Sequence, residues 1–128
     1  MPTLAGIIAG SGGSGTRILV LPITNGVGSP YTLSVAETGA LITNEGASAK
    51  VYINLPSASA GLCYGFYIQD ADGMRFTAAT GNTIRSGDQI SASAGYSEST
   101  STGSMIWAIA INSTGWVCCG GTGIWTLT

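Results

Sequence analysis

Few side chains here can carry acid–base, nucleophilic or metal chemistry. The carboxylates are Glu37, Glu45, Asp70, Asp72, Asp88 and Glu98, the thiols are Cys63, Cys118 and Cys119, and the chain has no histidine. Without an imidazole, neither a Ser-His-Asp nor a Cys-His nucleophile can be assembled. A glycosidase needs two carboxyl groups facing each other across a cleft. The nearest pair, Asp70 and Asp72, falls in Asp70-Ala71-Asp72-Gly73, an expected hairpin turn in which Asp bonds its own backbone. The same pair lacks the rest of an EF-hand loop, so turn chemistry is the reading and no metal or other cofactor is expected. The run Gly10-Ser11-Gly12-Gly13-Ser14-Gly15 is followed by Thr16-Arg17. It lacks the Gly-Lys-Ser/Thr that ends a phosphate-binding loop and reads as a flexible linker. The chain is not expected to be an enzyme.

The cysteines are odd in number and form no Cys-x-x-Cys pair, so at least one thiol is free or bonds between chains. Adjacent residues on a strand point to opposite faces, which makes one of Cys118 and Cys119 a core thiol and turns the other outward. A disulfide from Cys63 to either is the alternative. Of the three tryptophans, Trp107 lies in an alternating strand and reads as core. Trp116 and Trp125 each follow a glycine-rich turn. They are candidates for contact with a glycan, whose apolar face stacks on aromatic rings, or for sealing the end of the domain.

These groups must be positioned by a domain of unusual composition. Hydrophobic residues make up 45% of the 128 and charged residues only 8%, with 20 glycines; an ordinary globular domain is about 25% charged. The apolar content is too high for disorder, and so little charge gives little repulsion between copies, which suits an assembly. The net charge is −2, and Arg17, Lys50, Arg75 and Arg85 are scattered. That excludes the basic patch of a nucleic-acid binder and an electrostatic membrane tether. Met1 to Ala9 has no basic stretch ahead of its apolar residues, so it is a poor signal peptide. No apolar run reaches the roughly 20 residues of a membrane helix.

Alternation with period two recurs along the chain. It is clearest in Val51-Tyr52-Ile53-Asn54-Leu55, Leu62 to Gln69 and Met105 to Ile111. Shorter runs at Tyr31 to Val35, Ala40 to Thr43, Met74 to Ala78, Thr83 to Arg85, Gln89 to Ala94, Trp116 to Cys119 and Ile124 to Leu127, and the nearly continuous β-rich run Ile18 to Pro22, complete the set of expected strands, with turn residues between them. Leu62 to Gln69 and Met105 to Ile111 are apolar on both faces, as expected of strands covered by the core on one side and by another layer or subunit on the other. No segment has helical periodicity. The expected fold is all-β: an antiparallel β-sandwich or small barrel, jelly-roll-like, over residues 17–128. Residues 1–16 are expected to be a flexible arm and linker, whose Leu4, Ile7 and Ile8 would dock on a partner.

Several segments together carry a family resemblance. They are Tyr31-Thr32-Leu33-Ser34-Val35, Gly39-Ala40-Leu41-Ile42-Thr43-Asn44, Val51-Tyr52-Ile53-Asn54-Leu55-Pro56, Gly61-Leu62-Cys63-Tyr64, and Phe66-Tyr67-Ile68-Gln69-Asp70-Ala71-Asp72-Gly73. Ala79-Thr80-Gly81-Asn82-Thr83-Ile84 and the late Gly115-Trp116 and Gly123-Ile124-Trp125 extend it. The stretch Tyr31 to Trp125 resembles the small β modules of tailed-phage virion proteins. The resemblance implies a structural role without catalytic residues: a capsid decoration or cement protein, or a head-fibre or tail-associated module. It implies the virion surface as location, the major capsid protein as partner and self-association as a homotrimer, with Tyr52, Tyr67 and Trp116 as candidate subunit contacts. Beginning at Met1 with no stalk or coiled-coil repeat, the chain is expected to be complete, which favours decoration over a fibre.

Overall fold

The computed structural model describes residues 17–128. In chain order they form β1 (Val20–Pro22), β2 (Tyr31–Thr32), a 3-10 turn (Val35–Glu37), β3 (Leu41–Thr43), β4 (Val51–Asn54), β5 (Cys63–Tyr67) and β6 (Met74–Thr77). There follow β7 (Thr83–Ser86), β8 (Gln89–Ile90), β9 (Tyr96–Ser99), β10 (Met105–Ala110), β11 (Gly115–Thr122) and β12 (Thr126–Leu127). They build a seven-stranded sheet, ordered β1-β3-β5-β10-β11-β7-β8, and a five-stranded sheet, ordered β12-β9-β6-β4-β2. The two sheets face each other as an open, all-β sandwich, as the alternating patterns require. Among the described residues no helix is long and apolar enough to cross a membrane.

Strand direction departs from the expected antiparallel arrangement. Five of the ten pairings are parallel, β1 with β3, β3 with β5, β2 with β4, β4 with β6 and β7 with β11, and a jelly roll does not describe the topology. From β1 to β6 the chain changes sheet after every strand. A parallel pair needs a crossover of about a dozen residues or more, and here the intervening strand of the facing sheet supplies it where an α/β protein would use a helix. Antiparallel pairing takes over in the second half, where β10 runs between β5 and β11 and β9 between β6 and β12. Between the expected runs Gln89 to Ala94 and Met105 to Ile111 lies a strand that alternation did not reveal, β9. Its inward positions Ser97 and Ser99 are buried opposite Phe76 and Met74, small enough to leave those bulky side chains room.

The core lies between the sheets. Ile42, Tyr64, Phe66, Ile84, Ala108 and Trp116 of the larger sheet meet Val51, Ile53, Met74 and Phe76 of the smaller one, each no more than 1% exposed. Phe66 and Phe76 stack across the interface with centroids 4.1 Å apart, and Trp125 meets Phe76 edge-on at 5.9 Å. Aromatic contacts of this kind add about 0.5–1.5 kcal/mol beyond area burial.

One buried amide ties the layers together. Asn44, at the end of β3, is fully enclosed. Its Oδ1 accepts from the Gln69 and Asp70 N–H groups, each at 2.8 Å, and its Nδ2 donates to the Asp70 and Gly73 carbonyls at 2.8 and 3.2 Å. All four of its hydrogen bonds are made, and they fix the turn joining β5 to β6. Gly73 closes that turn at φ 87°, where an added Cβ would lie 2.5 Å from the Ser99 carbonyl oxygen. Replacement of Asn44 by Ala strands backbone groups that each cost about 1–3 kcal/mol when buried without a partner. Asn44→Ala should therefore lower the unfolding free energy in urea by about 3 kcal/mol. A loss under about 0.5 kcal/mol, the range of an unremarkable surface change, would contradict this role.

Candidate functional site

Alternation dictates two outer faces, and they differ in chemistry. On the seven-stranded sheet, strand register aligns Val20, Leu41, Gly65, Trp107 and Cys119 in one outward row. A second row holds Cys63, Ile109, Val117, Arg85 and Ile90, and a third holds Pro22, Thr43, Tyr67 and Met105. Every strand outside this sheet belongs to the five-stranded sheet on the inner side. Among the described residues no strand layer covers these rows, whose single charge is Arg85. Val20 and Ile90 are more than half exposed, as is Ile111 at the end of β10, while Leu41, Tyr67, Met105, Ile109 and Val117 are half-buried.

Trp107 occupies the middle of this face. It is buried, as expected, but on the outer side of the sheet, whereas Ile106, Ala108 and Ala110 beside it in β10 enter the core between the sheets. Its indole lies on Gly65, where a Cβ would come within 2.7 Å of the ring. The missing side chain of Gly65 is what lets the ring lie down and keeps the face shallow.

The outer face of the five-stranded sheet is polar and aromatic. Tyr52, Arg75, Glu98 and Thr126 form one row, and Thr32, Asn54, Thr77 and Tyr96 the next. The Arg75 Nε donates to Glu98 Oε1 at 2.9 Å, and Lys50 Nζ donates to the same oxygen at 3.1 Å. The Arg75 guanidinium carbon stands 3.6 Å from the Tyr96 ring centroid and 5.1 Å from that of Tyr52. Burial alone would raise the Glu98 carboxyl, but the hydrogen bonds from Arg75 and Lys50 outweigh it and hold the group below its ordinary range. It therefore contributes stability above the ordinary carboxylate pKa, and that contribution is lost as pH falls through the lowered value.

The residues expected to make contacts are dispersed. Tyr67 faces out from the seven-stranded sheet and Tyr52 from the five-stranded one, so they lie on opposite sides of the sandwich. Trp116 is corrected on both counts: it is 1% exposed inside the core beside Tyr64, with ring centroids 5.9 Å apart, and offers neither a subunit nor a glycan a surface. Trp125 is half-buried against Phe76, and its Nε1 donates to the Thr122 carbonyl at 3.2 Å; it closes one end of the core. Leu4, Ile7 and Ile8 lie outside the described residues. Asp70 and Asp72 form a turn, with the Asp72 N–H donating to Asp70 Oδ1 at 2.9 Å, but it carries the chain from one sheet to the other and is not the expected hairpin. Among the described residues no three His, Cys, Asp or Glu side chains gather as a metal site. Sequence reading missed the Trp107–Gly65 contact and the Tyr52–Arg75–Tyr96 group, both of which depend on pairing register. No protein-family model matches this chain, and no curated protein matches it.

The three thiols are unpaired. Burial pushes Cys63 up to about 11 and Cys118 up to about 12, while Cys119 is exposed on the apolar face. Since the thiolate is the reactive form, a thiol-exchange reagent at pH 8 should modify one cysteine of the native protein quickly and all three in denaturant. Rapid modification of two or more in the native state would contradict the burial of Cys63 on β5 and Cys118 on β11.

Proposed function

We propose that this chain is a virion structural protein that binds an assembled phage shell as a decoration protein. The observation that carries the reading is the apolar outer face of the seven-stranded sheet, which no strand layer among the described residues covers. A sheet that is apolar on both sides calls for a layer on each, and a shallow face with one charge at its margin suits a broad protein surface. Burying it contributes roughly 25 cal/mol per Å² before the costs of association. Binding to the assembled shell and not to its separate subunits then stabilises the assembly by mass action. The major capsid protein is the partner in this reading. The protein associates as a homotrimer, and Leu4, Ile7 and Ile8 reach a neighbouring subunit. A head-fibre or tail module is the second reading, favoured by the polar, aromatic character of the opposite face.

Ile109 is half-buried on the docking face and outside the core between the sheets, so a charge there should spare the fold and oppose docking. Ile109→Glu should reduce co-sedimentation with shells by tenfold or more while the circular dichroism spectrum stays native. Wild-type occupancy by the folded variant would overturn the reading. Light scattering on the free protein should give about three times 12.8 kDa; a monomer would remove the trimer from the account.

A further inference from the structure

The face pointing away from the docking surface carries a second site. Arg75 is held in place twice: its Nε is hydrogen-bonded to Glu98 at 2.9 Å, and its guanidinium plane is placed by Tyr96 at 3.6 Å and Tyr52 at 5.1 Å. Among the described residues neither Nη atom has a hydrogen-bond partner. A guanidinium already fixed by stacking and by one charge-assisted bond, with its outer donors open, is pre-organised for a planar carboxylate.

A groove opens on the same side of the sheet. It is a wide, open depression of about 420 Å³ at the ends of β4 and β6, with Thr32, Asn54, Ser57 and Thr80 as its polar lining and Leu55, Pro56, Ala78 and Ala79 as its apolar lining. Asn54 follows Tyr52 by two residues on β4, so both point outward, about 7 Å apart along the strand. The Asn54 Nδ2 reaches Thr32 Oγ1 only at 3.5 Å, too long for a strong bond, which leaves the amide available. Hydroxyls and an amide lie in the groove; Arg75, Tyr52 and Tyr96 do not line it, and Asn54, diagonal to Arg75 across the β4–β6 pairing, is the residue that links the two.

We propose that this face binds an acidic saccharide, with Arg75 receiving the sugar carboxylate and Asn54, Thr32 and Thr80 its hydroxyls. Charge selects the ligand class. Arg75 and Lys50 share the single Glu98, leaving one net positive charge, and Arg85 stands on the other sheet. That matches a monocarboxylate sugar. It is too little for a phosphate polyanion, whose recognition draws on several cations. The site shares no residue with the docking face, so it stands or falls independently of shell binding.

The test is titration of the full chain, followed by NMR, with two acidic probes that each carry one carboxylate, the methyl glycoside of galacturonate and sialyllactose. Maltotriose, lactose and inorganic phosphate serve as comparisons. The wild type should bind at least one acidic probe more tightly than every comparison. Arg75→Gln should weaken that binding about tenfold or more, and Asn54→Ala should weaken it severalfold. The response to the two acids distinguishes a uronate from a nonulosonate source. The proposal is overturned if neither acid binds at millimolar concentration, if a neutral sugar or phosphate binds as well, or if folded Arg75→Gln binds like wild type. Should Arg75→Gln not fold, Asn54→Ala and Thr80→Val decide the matter, and undiminished binding in both would overturn it.

Discussion

A strand shows alternate side chains to opposite sides, so a strand apolar in every position must be covered twice. β5 and β10 at the centre of the larger sheet are such strands, and the smaller sheet covers only one side of them. Much of the remaining architecture answers to that imbalance. Ile106, Ala108 and Ala110 enter the core, where Phe66 and Trp116 need space, and the larger Met105, Trp107 and Ile109 go outward. Outside, Gly65 gives the indole a flat bed. The result is a broad apolar surface with shallow relief.

The winding of the chain explains how two unlike faces arise on one small domain. Because β1 to β6 alternate between the sheets, outward residues of neighbouring strands in one layer come from segments separated by a whole strand of the other. Tyr52 and Arg75 meet in this way on the polar side, as do Leu41 and Gly65 on the apolar side, and antiparallel pairing then adds Tyr96 and Trp107. Asn44 and Gly73 hold the turn at which the chain passes from β5 to β6. They therefore set the relation between the two layers, and through it both surfaces.

Strand positions and the two-faced character of β5 and β10 were legible in the sequence, since side-chain alternation is local. The opposite orientations of Cys118 and Cys119 and the Asp-Gly turn were legible for the same reason. Parallel pairing was not, because alternation says which side a residue faces and nothing about which strand lies beside it. β9 was hidden by serines at its inward positions, where Phe76 and Met74 already fill the space. Trp116 and Trp125 follow similar glycine-rich turns, yet one enters the core and the other only borders it. The Arg75 group required knowing that residues 52, 75 and 96 fall in adjacent rows of three neighbouring strands, which is a property of register.

The central claim, that the apolar side of the larger sheet is a docking surface, is tested most directly by hydroxyl-radical footprinting of the protein free and bound to shells. The account predicts that Met105, Ile109, Val117 and Cys119 become protected on binding while Tyr52 and Tyr96 keep their reactivity. Protection confined to the tyrosine side, or none on either face, would contradict it.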